Sequence, residues 1–476
     1  MLRRWLLHPV LFAAFLTAAV SWAAPGPKAP DNLNPRRKSK VPNVVLIVAD
    51  DLGWGDIGCQ GQEKIRTPHI DRLAASGMRF TQAYAGNTVC APSRCALMTG
   101  LHSGHGRTRS NVQVPLEDSD VTLAEVLRTA GLRTAGVGKW ALGWEETTGH
   151  PNNQGVEDWF GFLDQGHAHD YYPQFVWRNR NRFSNWGNMH GERVDYIGDW
   201  FARFSTNYVE VHEDHPFFLY VASTFPHANN ELGTNGMEVP DFGSYAREDW
   251  PRPEKGKAAM IERLDRLVGQ LVARAQRSRI LSDTIFVFTS DNGPHVESGV
   301  STNFFRSSGP FRGVKRSLHE GGIRVPLIVS WPGHIAPGQT NALPVALWDL
   351  LPTLGELTGS SIPAGLDGIS FAPALLGKEP RPRSACLYWE SHESGYSQAV
   401  RFGDWKAVRH GTNSSVELYH LGEDPGETRD VAWTRPEEAR RAVQLMTDSA
   451  SPWVPPTPKS VTPRQSWQKA AAVGPR

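Results

Sequence analysis

Short apolar runs alternate with amphipathic segments along most of this chain. The run 44–48 reads Val-Val-Leu-Ile-Val without a polar residue, which is typical of a strand buried on both faces of a parallel sheet. Similar apolar runs predict further strands at 133–137, 217–222, 285–289 and 325–330. Apolar residues at helical spacing, bounded by helix start and stop signals, predict helices at 68–76, 121–129, 257–278 and 347–358.

The alternation of strands and helices predicts an α/β fold, with a large mixed, mostly parallel sheet flanked by helices on both faces. No period is sustained across 140–214, so long loops with short helices that shape a substrate cleft are expected there. We predict a catalytic domain over 43–366. Short strands at 405–409 and 416–421 and a helix at 436–448 predict a smaller α+β C-terminal domain over 367–450, before a Pro-rich tail over 451–476.

The first residues have the pattern of an export signal. Arg3 and Arg4 precede an apolar run over 5–22, and small residues predict cleavage before Ala24, so that 1–23 is a signal peptide. An uncleaved membrane anchor is the alternative, because the run is close to spanning length. Residues 24–42 predict a flexible lead-in. The protein is therefore expected to be exported, to the periplasm or the medium, with no stable membrane span after cleavage.

The charge balance argues against one class of partner. The whole chain has a net charge of +1, and removal of 1–23 takes away two arginines and no acid, which leaves −1. A nucleic-acid-binding surface is strongly basic, so a DNA or RNA role is disfavoured. Four cysteines are too few for a disulfide framework, although export would permit one bridge among Cys59, Cys95 and Cys386.

Oxygen-bearing side chains follow two of the predicted strands. Asp50 and Asp51 come after the first strand, and Asp291 and Asn292 come after the strand 285–289. Ligands of open α/β sheets bind beyond the carboxyl ends of the strands. Carboxylates about 4 Å apart repel by about 4 kcal/mol per pair at an effective dielectric of about 20, and a hard cation such as Ca²⁺ or Mg²⁺ would relieve that repulsion. Turn or capping chemistry is the alternative for either pair taken alone.

The segment from Cys90 to Gly100 carries the most specific motif. It reads Cys-x-Pro-Ser-Arg-x-x-Leu-x-Thr-Gly, in which Pro92 suits the first turn of a helix and places Cys90 near free backbone N–H groups. This motif is the sulfatase signature, and the resemblance extends over about 43–430. It implies an alkaline-phosphatase-like fold and oxidation of Cys90 to Cα-formylglycine by a formylglycine-generating enzyme. The hydrate of that aldehyde attacks the sulfur of a sulfate ester.

The resemblance also implies roles for residues at the strand ends. The expected metal ligands are Asp50, Asp51, Cys90 as formylglycine, Asp291 and Asn292, with Ca²⁺ preferred to Mg²⁺. Arg94 is expected to orient the hydrate. Lys139 in Gly-Lys-Trp, Lys315 in Arg-Gly-Val-Lys and His227 after Phe-Pro are expected to contact the sulfate. Taken one at a time, the lysines would read as solvated surface charges and His227 as a structural histidine.

One position departs from the family pattern. The family usually has Gly-Lys-Trp-His, whereas this chain has Ala141 after Trp140. That histidine is the usual base that expels sulfate in the second half-reaction, and loss of a positioned base typically lowers the rate about 10²- to 10⁴-fold. The stretch Gln-Gly-His-Ala-His-Asp offers His169 as the substitute, with His167 as the second choice. The alternative is that both histidines belong to a substrate loop or are structural.

Aromatic and basic residues in 140–214 suggest the substrate class. Flat aromatic faces suit sugar rings, so the tryptophans and arginines there favour a sulfated carbohydrate over another sulfated small molecule. These residues are Trp140, Trp144, Trp177, Trp186, Arg178, Arg180 and Arg182. Packing in the core is the alternative for each tryptophan. Two rival functions remain at this point: a phosphodiester or phosphonate ester hydrolase of the same superfamily, and a catalytically impaired protein that binds sulfated glycans.

Overall fold

Sixteen strands and ten α-helices are found in the computed structural model, which describes residues 41–112, 114–383 and 386–454. The strands are β1 (Asn43–Ala49), β2 (Met78–Phe80), β3 (Ala83–Tyr84), β4 (Arg133–Lys139), β5 (Asp158–Phe162), β6 (Phe175–Arg178), β7 (Asn181–Ser184), β8 (Phe217–Ala222), β9 (Thr284–Ser290), β10 (Leu327–Ser330), β11 (Gln339–Asn341), β12 (Val345–Ala346), β13 (Leu387–Ser391), β14 (Ser397–Phe402), β15 (Trp405–His410) and β16 (Glu417–His420). The helices are α1 (Pro68–Ala75), α2 (Cys90–Thr99), α3 (Leu123–Arg128), α4 (Ile197–Val211), α5 (Arg252–Arg277), α6 (Thr302–Phe305), α7 (Glu320–Ile323), α8 (Leu350–Thr358), α9 (Ala372–Leu375) and α10 (Pro436–Ser449).

Ten of the strands form one mixed sheet in the order β11-β2-β10-β9-β1-β8-β4-β5-β6-β7. The central strands β9, β1, β8, β4 and β5 are parallel, and antiparallel pairs occur where β10 meets β9 and β2 and where β6 meets β5 and β7. The predicted fold class is confirmed, including the mixed, mostly parallel character of the sheet.

Strand β1 explains why the sheet has helices on both faces. Its residues Val45, Ile47 and Ala49 pack into a core with helices α1, α4 and α5. Its alternate residues, Val44, Leu46 and Val48, pack into a second core with α3 and α8. Because every residue of this strand is buried, its sequence after Asn43 is continuously apolar instead of alternating.

The prediction of long loops with short helices over 140–214 was wrong in part: short helices occur there, but strands and a long helix occur as well. That stretch contains strands β5, β6 and β7, which extend the large sheet, and the fifteen-residue helix α4. The strands are only four or five residues long, and the exposed β7 carries Asn181, Arg182 and Ser184 instead of an apolar run. Edge strands of this kind lack the hydrophobic signal that central strands have.

The long helix α5 also begins earlier than predicted, at Arg252, with Pro253 in its first turn.

A second, four-stranded antiparallel sheet has the order β13-β14-β15-β16 and packs against helix α10. Its other face meets the rest of the molecule through Trp389 and Val408, which share a core with Tyr84, Ala96 and Trp348. The structure thus has the predicted short strands and the helix near 436–448. The division into domains at 366 stays a prediction. The signal peptide predicted over 1–23, all but the last two residues of the lead-in predicted over 24–42, and all but the first four residues of the tail predicted over 451–476 lie outside the described residues.

The structure also describes the cysteines and the lengths of the apolar helices. Cys59, Cys90, Cys95 and Cys386 are all free thiols, so the bridge that export would permit is not present. Within 41–112, 114–383 and 386–454, no helix is long and apolar enough to cross a membrane.

Gly138 at the end of β4 is a position where only glycine fits. Its φ of +102° is unfavourable for other residues, and a Cβ there would lie 1.8 Å from the backbone oxygen of Ala222 in β8. We expect Gly138→Ala to destabilise the fold by about 3 kcal/mol or more, because two paired strands would have to separate. Thermal unfolding of the purified variant measures this.

Gly131 provides the matched control, because its φ is +85° and a Cβ would meet nothing within 4 Å. Gly131→Ala should show only the conformational penalty of about 1–2 kcal/mol. Equal destabilisation by the two substitutions would contradict the steric explanation.

Candidate active site

Four adjacent parallel strands deliver polar side chains to one edge of the large sheet. Asp50 follows β1, Asp291 follows β9, Lys139 ends β4, and His227 lies five residues beyond β8. The register holds these strand ends level, since Ala49 of β1 pairs with Ser290 of β9. Residues more than 200 positions apart in the sequence are therefore neighbours in space.

The acidic pairs predicted from the sequence meet at this edge. The backbone N–H of Asp51 donates to Oδ1 of Asp291 at 3.1 Å, and Nδ2 of Asn292 donates to Oδ1 of Asp51 at 2.7 Å. All four residues of the two pairs are fully buried. Oδ1 of Asn292 is buried and has no hydrogen-bond partner among the described residues. An unsatisfied buried oxygen beside three carboxylates fits a site built for a cation.

The electrostatics of the two strand-end acids differ. Burial, and next the negative charge of Asp50, raise the pKa of Asp291 to about 7. Burial also opposes ionisation of Asp50, but the charges of Lys139, Arg94 and Lys315 outweigh it and keep the pKa of Asp50 well below its usual range. Three carboxylates and three cations balance in charge, yet the pKa of Asp291 stays raised, and a divalent ion would favour the ionised form of that carboxyl group.

Cys90 lies beside these acids as the first residue of helix α2. Its Sγ donates to Oδ1 of Asp50 at 3.2 Å, and the side chain is buried. The N–H of Ala91 in the first helical turn donates to Oδ1 of Asn111 at 3.1 Å. Burial, and next the charge of Asp50, raise the pKa of the Cys90 thiol well above its usual value, so the unmodified side chain is a neutral thiol and not a nucleophilic thiolate.

Three buried cations surround the acids, each on a carboxylate. Nζ of Lys139 donates to Asp50 at 2.7 Å, and Nζ of Lys315 donates to Asp51 at 2.8 Å. Nε and Nη2 of Arg94 donate to Oδ2 of Asp291 at 3.1 and 2.8 Å. Arg94 is held from the other side by the backbone oxygen of Lys139, which accepts from Nη1 at 2.9 Å.

His227 presents to the site a ring nitrogen that carries no hydrogen. Its Nδ1 lies 2.6 Å from the carbonyl oxygen of Ala228, which can only accept, so Nδ1 carries the hydrogen. Nε2 lies 3.1 Å from Nζ of Lys315 and 3.5 Å from Oδ2 of Asp51. Burial, and next the charge of Lys315, lower the pKa of His227 well below its usual value.

The two histidines considered as substitutes for the missing base have different surroundings. His169 stacks on His227, with ring centroids 4.5 Å apart and planes 14° apart, and its Nδ1 lies 3.2 Å from Oε2 of Glu231. His167 is buried, and its ring packs against Phe162 at 4.8 Å and Phe175 at 4.6 Å. The structure therefore brings His169 to the edge of the site and directs His167 into an aromatic core.

Sequence reasoning missed the acids that support these groups. Oε2 of Glu297 lies 3.3 Å from Nζ of Lys315, and its Oε1 accepts from Arg316 at 2.8 Å. Glu231 supports His169 in the same way. Glu297 follows the pair Asp291 and Asn292 by only a few residues in the same loop, and this proximity was the available signal.

The aromatic and basic residues proposed for the cleft are mostly engaged elsewhere. Trp140 is buried and donates through Nε1 to the carbonyl oxygen of Gly149 at 2.7 Å, and Trp177 is also buried. Trp186, by contrast, is 81% exposed. Arg178 pairs with Asp158 at 2.8 Å. Asp158 begins β5, so this pair lies at the opposite end of the parallel strands from Asp50, which follows the end of β1. Packing is therefore the observed role of Trp140 and Trp177.

The chain matches two protein-family models and is similar to named sulfatases. Residues 42–360 match the sulfatase family model, and residues 312–448 match the family model described as N-sulphoglucosamine sulphohydrolase, C-terminal. Arylsulfatase A of Homo sapiens is 33% identical over 86% of this chain and 88% of its own length. N-acetylgalactosamine-6-O-sulfatase of Bacteroides thetaiotaomicron is 27% identical over 86% of this chain and 93% of its own.

A solved structure has the same fold over nearly its whole length. The crystal structure of Ps i-CgsB in complex with k-i-k-neocarrahexaose superposes with a TM-score of 0.77 at 28% sequence identity. The match covers 91% of this chain and 98% of that one.

Proposed function

This chain belongs to the sulfatase family and is a sulfuric ester hydrolase, and we propose that it releases inorganic sulfate from a sulfated carbohydrate, using Cα-formylglycine formed from Cys90 and a bound Ca²⁺ ion. One observation carries the proposal: Cys90 lies at a helix start within hydrogen-bond distance of Asp50, among buried acids that are each paired with a buried cation. An anionic sulfate ester fits such a helix start and its flanking cations.

The residues of the site fit a calcium ion. The donors available are carboxylate and amide oxygens, which Ca²⁺ and Mg²⁺ prefer, and the larger number of protein oxygens favours Ca²⁺. The ion would be held by Asp50, Asp51, Asp291, Asn292 and the oxygen of a formylglycine at position 90. When bound, it would supply positive charge that polarises sulfate oxygens. The unpartnered Oδ1 of Asn292 and the raised pKa of Asp291 support this assignment.

Formylglycine at position 90 would supply, as its hydrate, a hydroxyl nucleophile and a second hydroxyl that allows sulfate to leave. A formylglycine-generating enzyme is the partner that this conversion requires. Arg94 holds Asp291 and so fixes the wall of the site beside residue 90. The short contact of Sγ with Asp50 in the unmodified chain supports an oxygen at that position facing the ligand set.

The chain's own cations bind and orient the sulfate group. Lys139 and Lys315 are buried, so their charges act through a low dielectric and are worth more than on a surface. Nε2 of His227 is the ring nitrogen without a hydrogen, and it accepts from Nζ of Lys315. We assign to His227 and Lys315 the contact with the oxygen that leaves as an alcohol, where Lys315 can give the proton that the oxygen needs.

His169 takes the place of the base that Ala141 lacks. It stacks on His227, and Glu231 binds its Nδ1, which leaves Nε2 as the nitrogen that can take a proton. His167 is the less favoured candidate, because its ring is buried against Phe162 and Phe175.

Removal of the metal should inactivate the enzyme without unfolding it. We expect exhaustive treatment with EDTA to lower kcat/KM by about 10²- to 10³-fold, because one electrostatic contributor to the transition state is lost. The pairs of Lys139 with Asp50 and Lys315 with Asp51 would still neutralise two of the carboxylates, so circular dichroism should stay unchanged. Ca²⁺ should restore activity more fully than Mg²⁺. Full activity in protein shown to be free of divalent metal would refute the metal assignment.

A sulfated carbohydrate is the favoured substrate because the names of similar proteins refer to sugars. One similar protein is named N-acetylgalactosamine-6-O-sulfatase, and Ps i-CgsB was crystallised in complex with k-i-k-neocarrahexaose. We also propose that the chain is exported, which agrees with a polymeric substrate outside the cell.

The experiment that tests the proposal has two parts. Peptide mass spectrometry across residue 90 of protein from its native host should find formylglycine in place of cysteine. The same preparation is then assayed with sulfated mono- and oligosaccharides, an aryl sulfate, and a phosphate diester and phosphonate ester. Sulfate release from a sugar supports the proposal, and faster cleavage of the phosphorus esters would replace it with a phosphohydrolase. Binding of sulfated sugar without release, despite conversion of Cys90, would replace it with a binding protein.

A further inference from the structure

Three potential metal ligands meet where the small sheet contacts the catalytic loops. His319, His410 and Glu417 each offer one ligand atom, and these atoms lie within 4.8 Å of one another. We propose that they form a zinc site that is separate from the catalytic centre. Two imidazoles and a carboxylate are a ligand set that Zn²⁺ uses, with a fourth position left for water.

The fold fixes two of the ligands on one face of the small sheet. In the β15–β16 pairing, Val408 is opposite Glu417, and His410 lies two residues beyond Val408 on the same strand. Alternate residues of a strand point to the same face, so His410 and Glu417 are diagonal neighbours. His319 approaches from the other side, as the residue directly before α7.

The hydrogen bonds of the two rings leave room for a metal. Nδ1 of His319 lies 3.1 Å from the hydroxyl of Ser317, and Nδ1 of His410 lies 3.3 Å from the hydroxyl of Ser397. A hydroxyl can donate or accept, so each Nδ1 can carry its hydrogen and keep its hydroxyl partner while Nε2 binds the metal. The contact of Nε2 of His319 with Glu417 would then be replaced by their binding to the same ion. Support of the second ring nitrogen in this way is a regular feature of histidine ligands.

A second cluster of the same composition lacks this property. His102, His105 and Asp367 also lie within ligand distance, but Nδ1 of His102 accepts from the backbone N–H of Gly104 at 3.1 Å. A backbone N–H can only donate, so Nδ1 of His102 has no hydrogen and Nε2 carries it. Binding of a metal through Nε2 would move that hydrogen to Nδ1 and so break the hydrogen bond from Gly104 to Nδ1. The chemistry therefore favours the site of His319 over that of His102.

The local charge and exposure suit an exchangeable ion. His319 is buried, Glu417 is half-buried and His410 is exposed, so His410 can rotate toward the other two to reach Zn–N distances of about 2.0–2.1 Å. Nε2 of His319 already lies 3.1 Å from Oε2 of Glu417. Arg312 opposes a cation, because its Nη1 lies 3.8 Å from the same oxygen. Loss of that charge should tighten binding.

A metal at this position would tie the small sheet to the loop that carries Lys315. His319 follows Lys315 by four residues, and the same loop is already fixed to the small sheet where Lys406 of β15 pairs with Glu320 at 2.9 Å. Bound zinc is expected to stabilise the folded protein by mass action, since the unfolded chain does not bring these residues together.

The experiment titrates zinc into purified full-length protein saturated with Ca²⁺, so that the catalytic oxygen ligands are occupied. Isothermal titration calorimetry should give one zinc equivalent, and Zn²⁺ should raise the Tm. His410→Ala should lose that equivalent and the rise in Tm. Because His410 is exposed, its replacement should not change the Tm without zinc. Ser397→Ala should weaken binding about 10- to 100-fold. Arg312→Gln should strengthen it.

His105→Ala is the matched control, because it removes an exposed histidine from the other cluster and should leave zinc binding intact. Co²⁺ in place of Zn²⁺ should give visible bands of nitrogen and oxygen ligation without a thiolate charge-transfer band. The proposal is overturned if the parent protein takes up no zinc at millimolar concentration. It is also overturned if His410→Ala binds zinc as the parent does, or if His105→Ala is the variant that loses it.

Discussion

Cys90→Ala should abolish sulfate release. The residue starts helix α2 beside Asp50, and no other nucleophile is expected to take its place: Cys95 is the next sulfur along the helix, and it is buried in the core with apolar residues. With the nucleophile gone, the remaining cations can bind the ester but cannot open it. The measurement is sulfate release by ion chromatography at saturating substrate, with the substrate affinity measured separately by calorimetry.

Cys95→Ala is the control for this experiment. Both cysteines lie in α2, both are fully buried, and both substitutions remove one sulfur, so effects on the helix are matched. We expect Cys95→Ala to keep the catalytic rate of the parent with a modest loss of Tm from the vacated volume. Turnover by Cys90→Ala at the rate of Cys95→Ala would remove residue 90 from the mechanism.

The central sheet could be predicted because its strands are buried on both faces. From Val44 to Ala49 strand β1 is apolar at every position, and such a continuous apolar run is a clear strand signal in the sequence. The same is true of the long helix α5, whose apolar stripe faces the core. Strand β7 escaped prediction because it is the edge strand and is mostly exposed, and β6 escaped because only two of its four residues are buried.

The residues of the site could be named from the motif and the strand ends, but their partners could not. That Asp51 would meet Lys315 depends on a contact across 264 positions, and that His169 would stack on His227 depends on how two loops cross. Glu231 carries no sequence signal, and Glu297 has only its nearness to Asp291 and Asn292, because a glutamate in a loop is ordinarily solvated. Only the fold shows that Glu231 faces His169 and that Glu297 faces Lys315.

His169→Ala should slow turnover by about 10²- to 10⁴-fold, which is the usual effect of removing a positioned base. The first release of alcohol should be much less affected than the release of sulfate, because the proposed role of His169 belongs to the second half of the cycle. Rapid-quench kinetics would then show a burst of alcohol, followed by slow steady-state release of both products.

Two further variants separate a catalytic role from a structural one. His167→Ala removes a ring that packs against Phe162 and Phe175, so it should lower the Tm while the burst stays absent. Ala141→His in the His169→Ala background introduces the histidine that the Gly-Lys-Trp-His pattern implies at that position. Ala141 has φ +67°, a conformation in which histidine is enriched, so the backbone can accept it. Recovery of sulfate release in the double variant, with loss of the burst, would show that a base at either position serves the same proton. Undiminished sulfate release in His169→Ala alone would mean that the base lies elsewhere in the site.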